Sequence, residues 1–250
     1  MLLSITEQCK MNCPHCMDCA TPEGNHMNMD IFKAAVRFFN HFGSLVLIIT
    51  GGEPTENPDC VEMLEYAINN TSQYEQIMLA TNGMNISGNR ELQQQLSRLF
   101  AKYPHRLSLQ VTSVDGLYPI KVDFSEPFFN SPEVTICTKI ESMYPQGRAV
   151  ENRFPTEAKA SKCFNIRSIV RSTGSLKLAS MTLATRFHFC TPRINWNGDI
   201  KLGESRLCPT VATIFDTEEV INQKIKEFRC DKCGLISKLG PQYRSAVGEV

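Results

Sequence analysis

The sequence predicts an α/β protein built on a parallel sheet, with a small cysteine-rich C-terminal extension. Three observations predict it. Apolar runs of strand length, at residues 45–50, 77–81 and 107–112, alternate with segments of helical period. The joins between them are short, which favours βα units with right-handed crossovers. The cysteines, eleven in 250 residues, gather at the two ends of the chain, at Cys9, Cys13, Cys16 and Cys19 and again at Cys163, Cys190, Cys208, Cys230 and Cys233.

The elements follow in order. Residues 2–6 read as a short strand that delivers the chain to Cys9, and a loop rich in Cys, Pro, Gly and Asn runs on to Asn28. Ile31, Ala34, Ala35, Phe38, Phe39 and Phe42 recur at helical spacing, and Gly43 ends that helix. The run at residues 45–50 predicts a strand buried on both faces. Asn57-Pro58 predicts a capped helix start, with Val61, Leu64 and Ile68 on one face. A strand at 77–81 stops at Asn82-Gly83, Leu92, Leu96 and Leu99 mark a third helix, and 107–112 is a fourth strand. After Gly116 the rhythm changes: Pro119, Pro127 and Pro132 break the chain before a strand at 134–140. Arg193 to Lys201 predicts a hairpin with Asn197-Gly198 at its turn. Residues 216–219 then cap a helix carrying Val220, Ile221, Ile225 and Phe228. We place a domain boundary at residue 155, giving a core of 1–155 and an extension of 156–250.

Composition limits the function. Net charge is zero with both signs interspersed, so no electrostatic case arises for nucleic acid or a membrane surface. The first residues carry no basic region or long apolar stretch, which predicts a soluble, cytoplasmic chain. In that compartment clustered cysteines point to metal rather than to disulfides.

Cys9, Cys13 and Cys16 are spaced C-x3-C-x2-C on one loop. Three thiolates so placed can hold three irons of a 4Fe–4S cube and leave the fourth open to a small molecule. A structural zinc, with Cys19 or His15 as fourth ligand, is the alternative, although zinc pairs usually come from two separate knuckles. The second motif, Gly51-Gly52-Glu53-Pro54-Thr55, closes a buried strand. Its glycines permit close approach of a ligand, and Glu53 or nearby backbone can accept from an ammonium group. By itself it is equally a strand-to-helix turn.

Together these motifs resemble the radical S-adenosylmethionine (SAM) superfamily. The resemblance implies a partial (β/α)6 barrel, with Cys9, Cys13 and Cys16 as cluster ligands and Gly51, Gly52, Glu53 and Pro54 lining the methionine moiety of SAM. It suggests that Thr81 and Asn82 face SAM, unless they only cap their strand, and that Thr112, Ser113 and Asp115 form a polar ribose-side motif. Gln146-Gly147-Arg148-Ala149 resembles a sixth-strand segment near adenine. Only about thirty residues separate the fourth strand from Gln146. The barrel is therefore abbreviated, or a proline-bearing loop replaces a helix, and Arg148 and Lys139 are candidates for the SAM carboxylate. The implied reaction is reductive cleavage of SAM to methionine and a 5′-deoxyadenosyl radical that abstracts hydrogen.

At the rear, Cys190 and Cys208 flank the hairpin, and Cys230-Asp231-Lys232-Cys233 follows the capped helix. The set resembles the SPASM or twitch extension, which carries auxiliary 4Fe–4S clusters; zinc is the alternative. Cys163 is a further ligand, a substrate-facing thiol or a buried residue, and Cys19, Cys60 and Cys137 read as inert core residues. The resemblance implies a peptide or protein side chain as substrate, or a small molecule, since no recruiting domain precedes the first strand. It also implies an external electron donor such as flavodoxin or ferredoxin. The alternatives are a glycyl-radical-enzyme activase and a non-catalytic iron–sulfur or zinc protein.

Overall fold

The computed structural model describes residues 1–42, 46–140, 143, 147–155, 192–203 and 208–227. The alternation holds: β1 (Leu2–Ser4), α1 (Met29–Phe42), β2 (Val46–Thr50), α2 (Cys60–Asn70), β3 (Gln76–Thr81), α3 (Arg90–Lys102), β4 (Leu107–Thr112) and β5 (Val134–Cys137). There follow a one-turn helix α4 (Arg148–Glu151), strands β6 (Pro192–Ile194), β7 (Asp199–Leu202) and β8 (Thr210–Thr213), and α5 (Glu218–Glu227). The described strands form one sheet of eight, ordered β5-β4-β3-β2-β1-β6-β7-β8. β1 to β5 pair in parallel, β6 joins β1 in parallel, and β7 and β8 continue antiparallel. Sheet pairing thus crosses the expected boundary near residue 155, because Leu2 and Leu3 register with Arg193 and Ile194.

The two faces of the sheet differ. Leu3, Leu47, Ile49, Ile77, Leu79, Leu109 and Val111 are buried in one core with Phe32, Phe39, Met63, Leu64 and Leu96 from α1 to α3. Each such large side chain stabilises the fold by about 1.5–3 kcal/mol. Alternate residues face the other way and are only half-buried: Ile48, Thr50, Met78, Ser108, Gln110 and Thr112. β2 is therefore not buried on both faces as its apolar run suggests. Its second face shares a side of the sheet with the polar Ser108, Gln110 and Thr112 and is only half-buried.

Other departures have local causes. α2 runs from Cys60, two residues past Pro58, yet Asn57 does cap the approach: its Oδ1 accepts from Asp59 N at 2.9 Å, while its Nδ2 donates to Ile5 O at 2.9 Å and Met27 O at 3.0 Å. β1 stops at Ser4, and Thr6 instead bridges antiparallel to His26, whose Nδ1 lies 2.8 Å from Thr6 Oγ1. β5 ends at Cys137, short of residue 140. Cys137 is not a core thiol: it is half-buried and Gln110 Nε2 lies 3.6 Å from its sulfur. Cys60 is buried, which pushes its thiol pKa up.

The hairpin forms as expected, with Gly198 at φ 89° and Asn195 N donating to Asp199 O at 2.9 Å. Thr217 opens α5, and its carbonyl accepts from Ile221 N at 2.9 Å. Ile221 is buried but Val220 is exposed, which narrows the apolar face; Phe228 lies outside the described residues. Among the described residues no helix is long and apolar enough to cross a membrane.

Candidate active site

The cysteine loop and the Gly-Gly-Glu-Pro segment are held side by side by backbone. Beyond the ends of β1 and β2 the two chains continue to pair: Gly52 N donates to Thr6 O at 2.8 Å and Glu53 N to Gln8 O at 2.7 Å. A Cβ on Gly51 would overlap Thr6 O, and one on Gly52 would overlap Gln8 O. These glycines are therefore required by the approach of two backbones, before any ligand is considered.

Glu53 is wholly buried, and its carboxylate joins β2 to β3. Oε1 accepts from Thr55 N at 3.1 Å, Thr55 Oγ1 at 2.6 Å and Thr81 Oγ1 at 2.6 Å; Oε2 accepts from Asn82 N at 2.7 Å. Burial pushes its pKa up, and these donors oppose the shift. Oε1 is thus committed to protein donors, which shifts the expected acceptance of an ammonium group away from that oxygen. Asn82 completes the connection: its Nδ2 lies 3.6 Å from Cys9 Sγ. Thr81 and Asn82 consequently join the second motif to the first cysteine.

Cys9 and Cys13 are buried and Cys16 is half-buried. Burial, reinforced by Cys9 and Cys16, pushes the Cys13 thiol up to about 12, while Arg148 pulls it down. Burial also raises Cys9, against backbone N–H donors at Met11 and Asn12. Among the described residues no three His, Cys, Asp or Glu converge as ligands of a single ion. A closed zinc site takes four protein ligands on one ion, whereas each iron of a 4Fe–4S cube takes one cysteine. Three neighbouring thiols with N–H donors aimed at sulfur fit a cluster, and metal binding would itself deprotonate them.

Arg148 was a candidate for the SAM carboxylate, on a segment expected to be a strand. The structure instead makes residues 148–151 a helical turn, entered through Gly147 at φ 60°. Arg148 clamps the cysteine loop: Nε donates to Cys13 O at 2.8 Å, one terminal nitrogen to Asn12 Oδ1 at 2.7 Å, the other to Ala20 O at 2.9 Å. Its backbone N donates to Cys16 O at 3.0 Å, and a Cβ on Gly147 would come within 2.6 Å of Cys16 O and Met17 O.

Thr112 and Ser113 are half-buried at the end of β4, where Ser113 N donates to Cys137 O at 3.1 Å; Asp115 and Lys139 are exposed. Cys208 is buried just before β8, while Gln146, Cys163, Cys190, Cys230 and Cys233 lie outside the described residues.

Tyr118 is a site residue that sequence reasoning missed. Its ring centroid lies 5.0 Å from that of His15, and Phe154 flanks His15 at 6.3 Å. Burial raises the phenol pKa, helped by Cys13, Cys16, Cys9 and Glu53, so it faces the thiols. Burial lowers the His15 pKa, against a hydrogen bond to the Leu117 backbone. No motif marks Tyr118; only its place in the loop that stands where a helix was expected sets it apart.

A parallel α/β sheet with a three-cysteine loop at the C-terminal end of its first strand, pinned to a glycine motif on the second, defines a class of α/β protein with thiols placed beside a strand-end glycine turn. Residues 3–122 match the model of the Radical SAM superfamily. It is similar to the GTP 3',8-cyclase of Haemophilus ducreyi, 35% identical over 98 residues, covering 38% of this chain and 28% of the relative. It is also similar to Molybdenum cofactor biosynthesis protein 1 of Homo sapiens, 29% identical over 126 residues, covering 49% of this chain and 18% of that protein. The chain thus spans about a quarter of the length of the cyclase it matches. Among solved structures, BtrN in complex with AdoMet and 2-DOIA superposes with a TM-score of 0.57 at 14% identity, over 99% of this chain and 86% of that one. Streptococcus suis SuiB bound to S-adenosylmethionine gives 0.52 at 16% identity, over 94% and 70%. At these identities the structural likeness establishes the fold.

Proposed function

We propose that this chain is a radical SAM enzyme that cleaves S-adenosylmethionine reductively and uses the product to abstract hydrogen from a substrate. The observation that carries the reading is the junction of its two motifs: Asn82 is bonded to Glu53 through its backbone N and lies against Cys9 through its amide. Cys9, Cys13 and Cys16 would hold a 4Fe–4S cluster, and the Gly51–Pro54 segment would face the methionine end of SAM. When bound, the reduced cluster and SAM supply scission of the sulfonium C–S bond to methionine and a 5′-deoxyadenosyl radical. The protein's part is geometric. Arg148 fixes the loop carbonyls and adds positive charge beside Cys13, which favours the thiolate state. Met11 and Asn12 N–H groups and the Asn82 amide stabilise charge on Cys9 sulfur. His15, Tyr118 and Phe154 screen one side of the thiols from water, which protects a reactive intermediate. Thr112 and Ser113 offer polar groups toward the ribose side, and the segment of Gln146 and Arg148 would lie near adenine.

Residues 156–250 carry the rear cysteines. We assign Cys190, Cys208, Cys230 and Cys233 to an auxiliary metal, a 4Fe–4S cluster in preference to zinc, and reduction of the front cluster to a flavodoxin or ferredoxin. A peptide or protein side chain as substrate draws support from the fold shared with SuiB, which has been solved bound to precursor peptide SuiA. GTP draws support from the curated relatives, over about a quarter of their length.

Anaerobic reconstitution, reduction and incubation with SAM should yield 5′-deoxyadenosine and methionine from the unaltered protein and from Cys19→Ala. Cys13→Ala should yield neither. Equal yields from Cys13→Ala would overturn the reading.

A further inference from the structure

Two arginines reach the cysteine loop from outside it. Arg148 enters from the segment after β5 and holds the carbonyls of Cys13 and Ala20. Arg193 enters from β6, which lies beyond residues 3–122 and belongs to the extension. It registers with Leu2 of β1, and Ser4 is two residues further along the same face. One terminal nitrogen of Arg193 donates to Ser4 Oγ at 3.0 Å and the other to Asp18 Oδ1 at 2.7 Å. The bond to Ser4 shows the guanidinium leaning toward the C-terminal end of β1, where the cysteine loop begins. Asp18 lies two residues beyond Cys16, so a strand of the extension grips the loop just after its third cysteine.

This is not a surface ion pair. The Arg193 side chain is 10% exposed and that of Asp18 is 24% exposed. Partly buried charges are screened less than exposed ones, so each acts over a longer range. Desolvation offsets much of the attraction in such a pair, which makes net stability a weak reason for it. Its place says more. The two residues line a cavity of about 290 Å³ together with Gly52 of the glycine motif. Both charges thus border the space beside which the two motifs meet. Paired, they cancel at a distance. The Asp18 carboxylate alone would oppose the arrival of an electron at a cluster held by Cys16, and the Arg193 charge alone would favour it.

We propose that Arg193 and Asp18 form a positioning pair that sets the reduction potential of the front cluster. A residue of the extension thereby controls how readily the core accepts its electron. This deepens the SAM-cleaving assignment and rests on it. Arg193 acts through Asp18, and the pair makes or breaks no bond; the electron comes from the flavodoxin or ferredoxin already assigned.

Full-length unaltered protein, Asp18→Asn, Arg193→Gln, the double variant and Arg193→Lys are reconstituted anaerobically. The SAM-responsive electron paramagnetic resonance signal of each is followed through a redox titration. Asp18→Asn should raise the midpoint potential and Arg193→Gln should lower it. Each should change the ratio of reduced to oxidised cluster at a fixed donor potential by roughly fivefold. The double variant should return to within about twofold of the unaltered protein, and Arg193→Lys, which keeps the charge, should stay there too. A pair that only braces the loop behaves differently: either single loss loosens the same contact, and both move the potential in one direction. Shifts of one sign, or none, overturn the proposal. Should Arg193→Gln fail to fold, Asp18→Asn decides alone, and a potential unmoved or lowered overturns it. If the unaltered protein gives no SAM-responsive signal, the catalytic assignment falls and this proposal with it. A normal signal with unshifted variants strikes this proposal alone.

Discussion

The two cysteine-bearing regions are built on opposite plans. At the front, the loop from Cys9 to Cys16 has no regular structure of its own and is fixed by polar contacts from four distant segments: Thr6–Gln8 paired with the glycine motif, Asn82 on Cys9, Leu117 on His15 and Arg148 on the loop carbonyls. At the rear, β6 to β8 extend the sheet and α5 follows, so the hairpin is placed by strand pairing, and Arg193 is its polar link to the front loop through Asp18. The difference teaches where precision is stored. A hairpin tolerates local change because its ladder is redundant, whereas the front loop depends on bonds from a few separate side chains and carbonyls.

The sharpest way to break that comparison is at Gly52. Gly52→Ala sets a methyl group against Gln8 O and must part the Gly52–Thr6 and Glu53–Gln8 hydrogen bonds. We expect a loss of about 3 kcal/mol or more in denaturant unfolding, together with failure to retain iron. Arg148→Ala should come next, at about 2–3 kcal/mol, because it removes three charge-assisted bonds from a half-buried guanidinium. Arg148→Lys should restore little, since one ammonium cannot serve three acceptors spread over the loop. Iron retained after gel filtration separates the two variants.

Glu53→Gln should cost about 1–3 kcal/mol, since its amide NH2 is turned on groups that are all donors. A pH signature accompanies it. Burial raises the Glu53 pKa above its ordinary 4.5, so its contribution is full below that value and declines as pH rises through the folded-state pKa. Unfolding of the apoprotein followed from pH 4 upward should show that decline, and Glu53→Gln should flatten it. The smallest effect belongs to the rear hairpin. Gly198→Ala, at φ 89° with a Cβ 3.0 Å from Ile214, should cost about 1–2 kcal/mol and leave iron content unchanged.

The sheet was legible because its strands are runs of branched and large apolar residues with short joins, and the helices because Ala35 and Phe39, Leu64 and Ile68, and Leu96 and Leu99 keep helical spacing. The cysteine spacing and the glycine motif were legible because each is local in sequence. What escaped notice is what depends on partners far along the chain. Arg193 and Asp18 are 175 positions apart, and Arg148 and Cys13 are 135 apart, so no window of sequence contains either pair. Asn57 was read only in part: its Oδ1 does accept from Asp59 N, as a helix cap should, but its Nδ2 also donates to the distant carbonyls of Ile5 and Met27, which no local window shows. Cys137 looked like core because the alternation of β5 does not reveal its partner Gln110 on the half-buried face of β4.

The central claim is that one iron, unclaimed by any of the three cysteines, receives SAM. Electron paramagnetic resonance of the reduced, reconstituted protein, recorded with and without SAM carrying 15N in its amino group, tests it most directly. The account predicts that SAM shifts the cluster signal and that the labelled nitrogen couples to it. A spectrum indifferent to SAM, in protein holding a full complement of cluster iron, would contradict it.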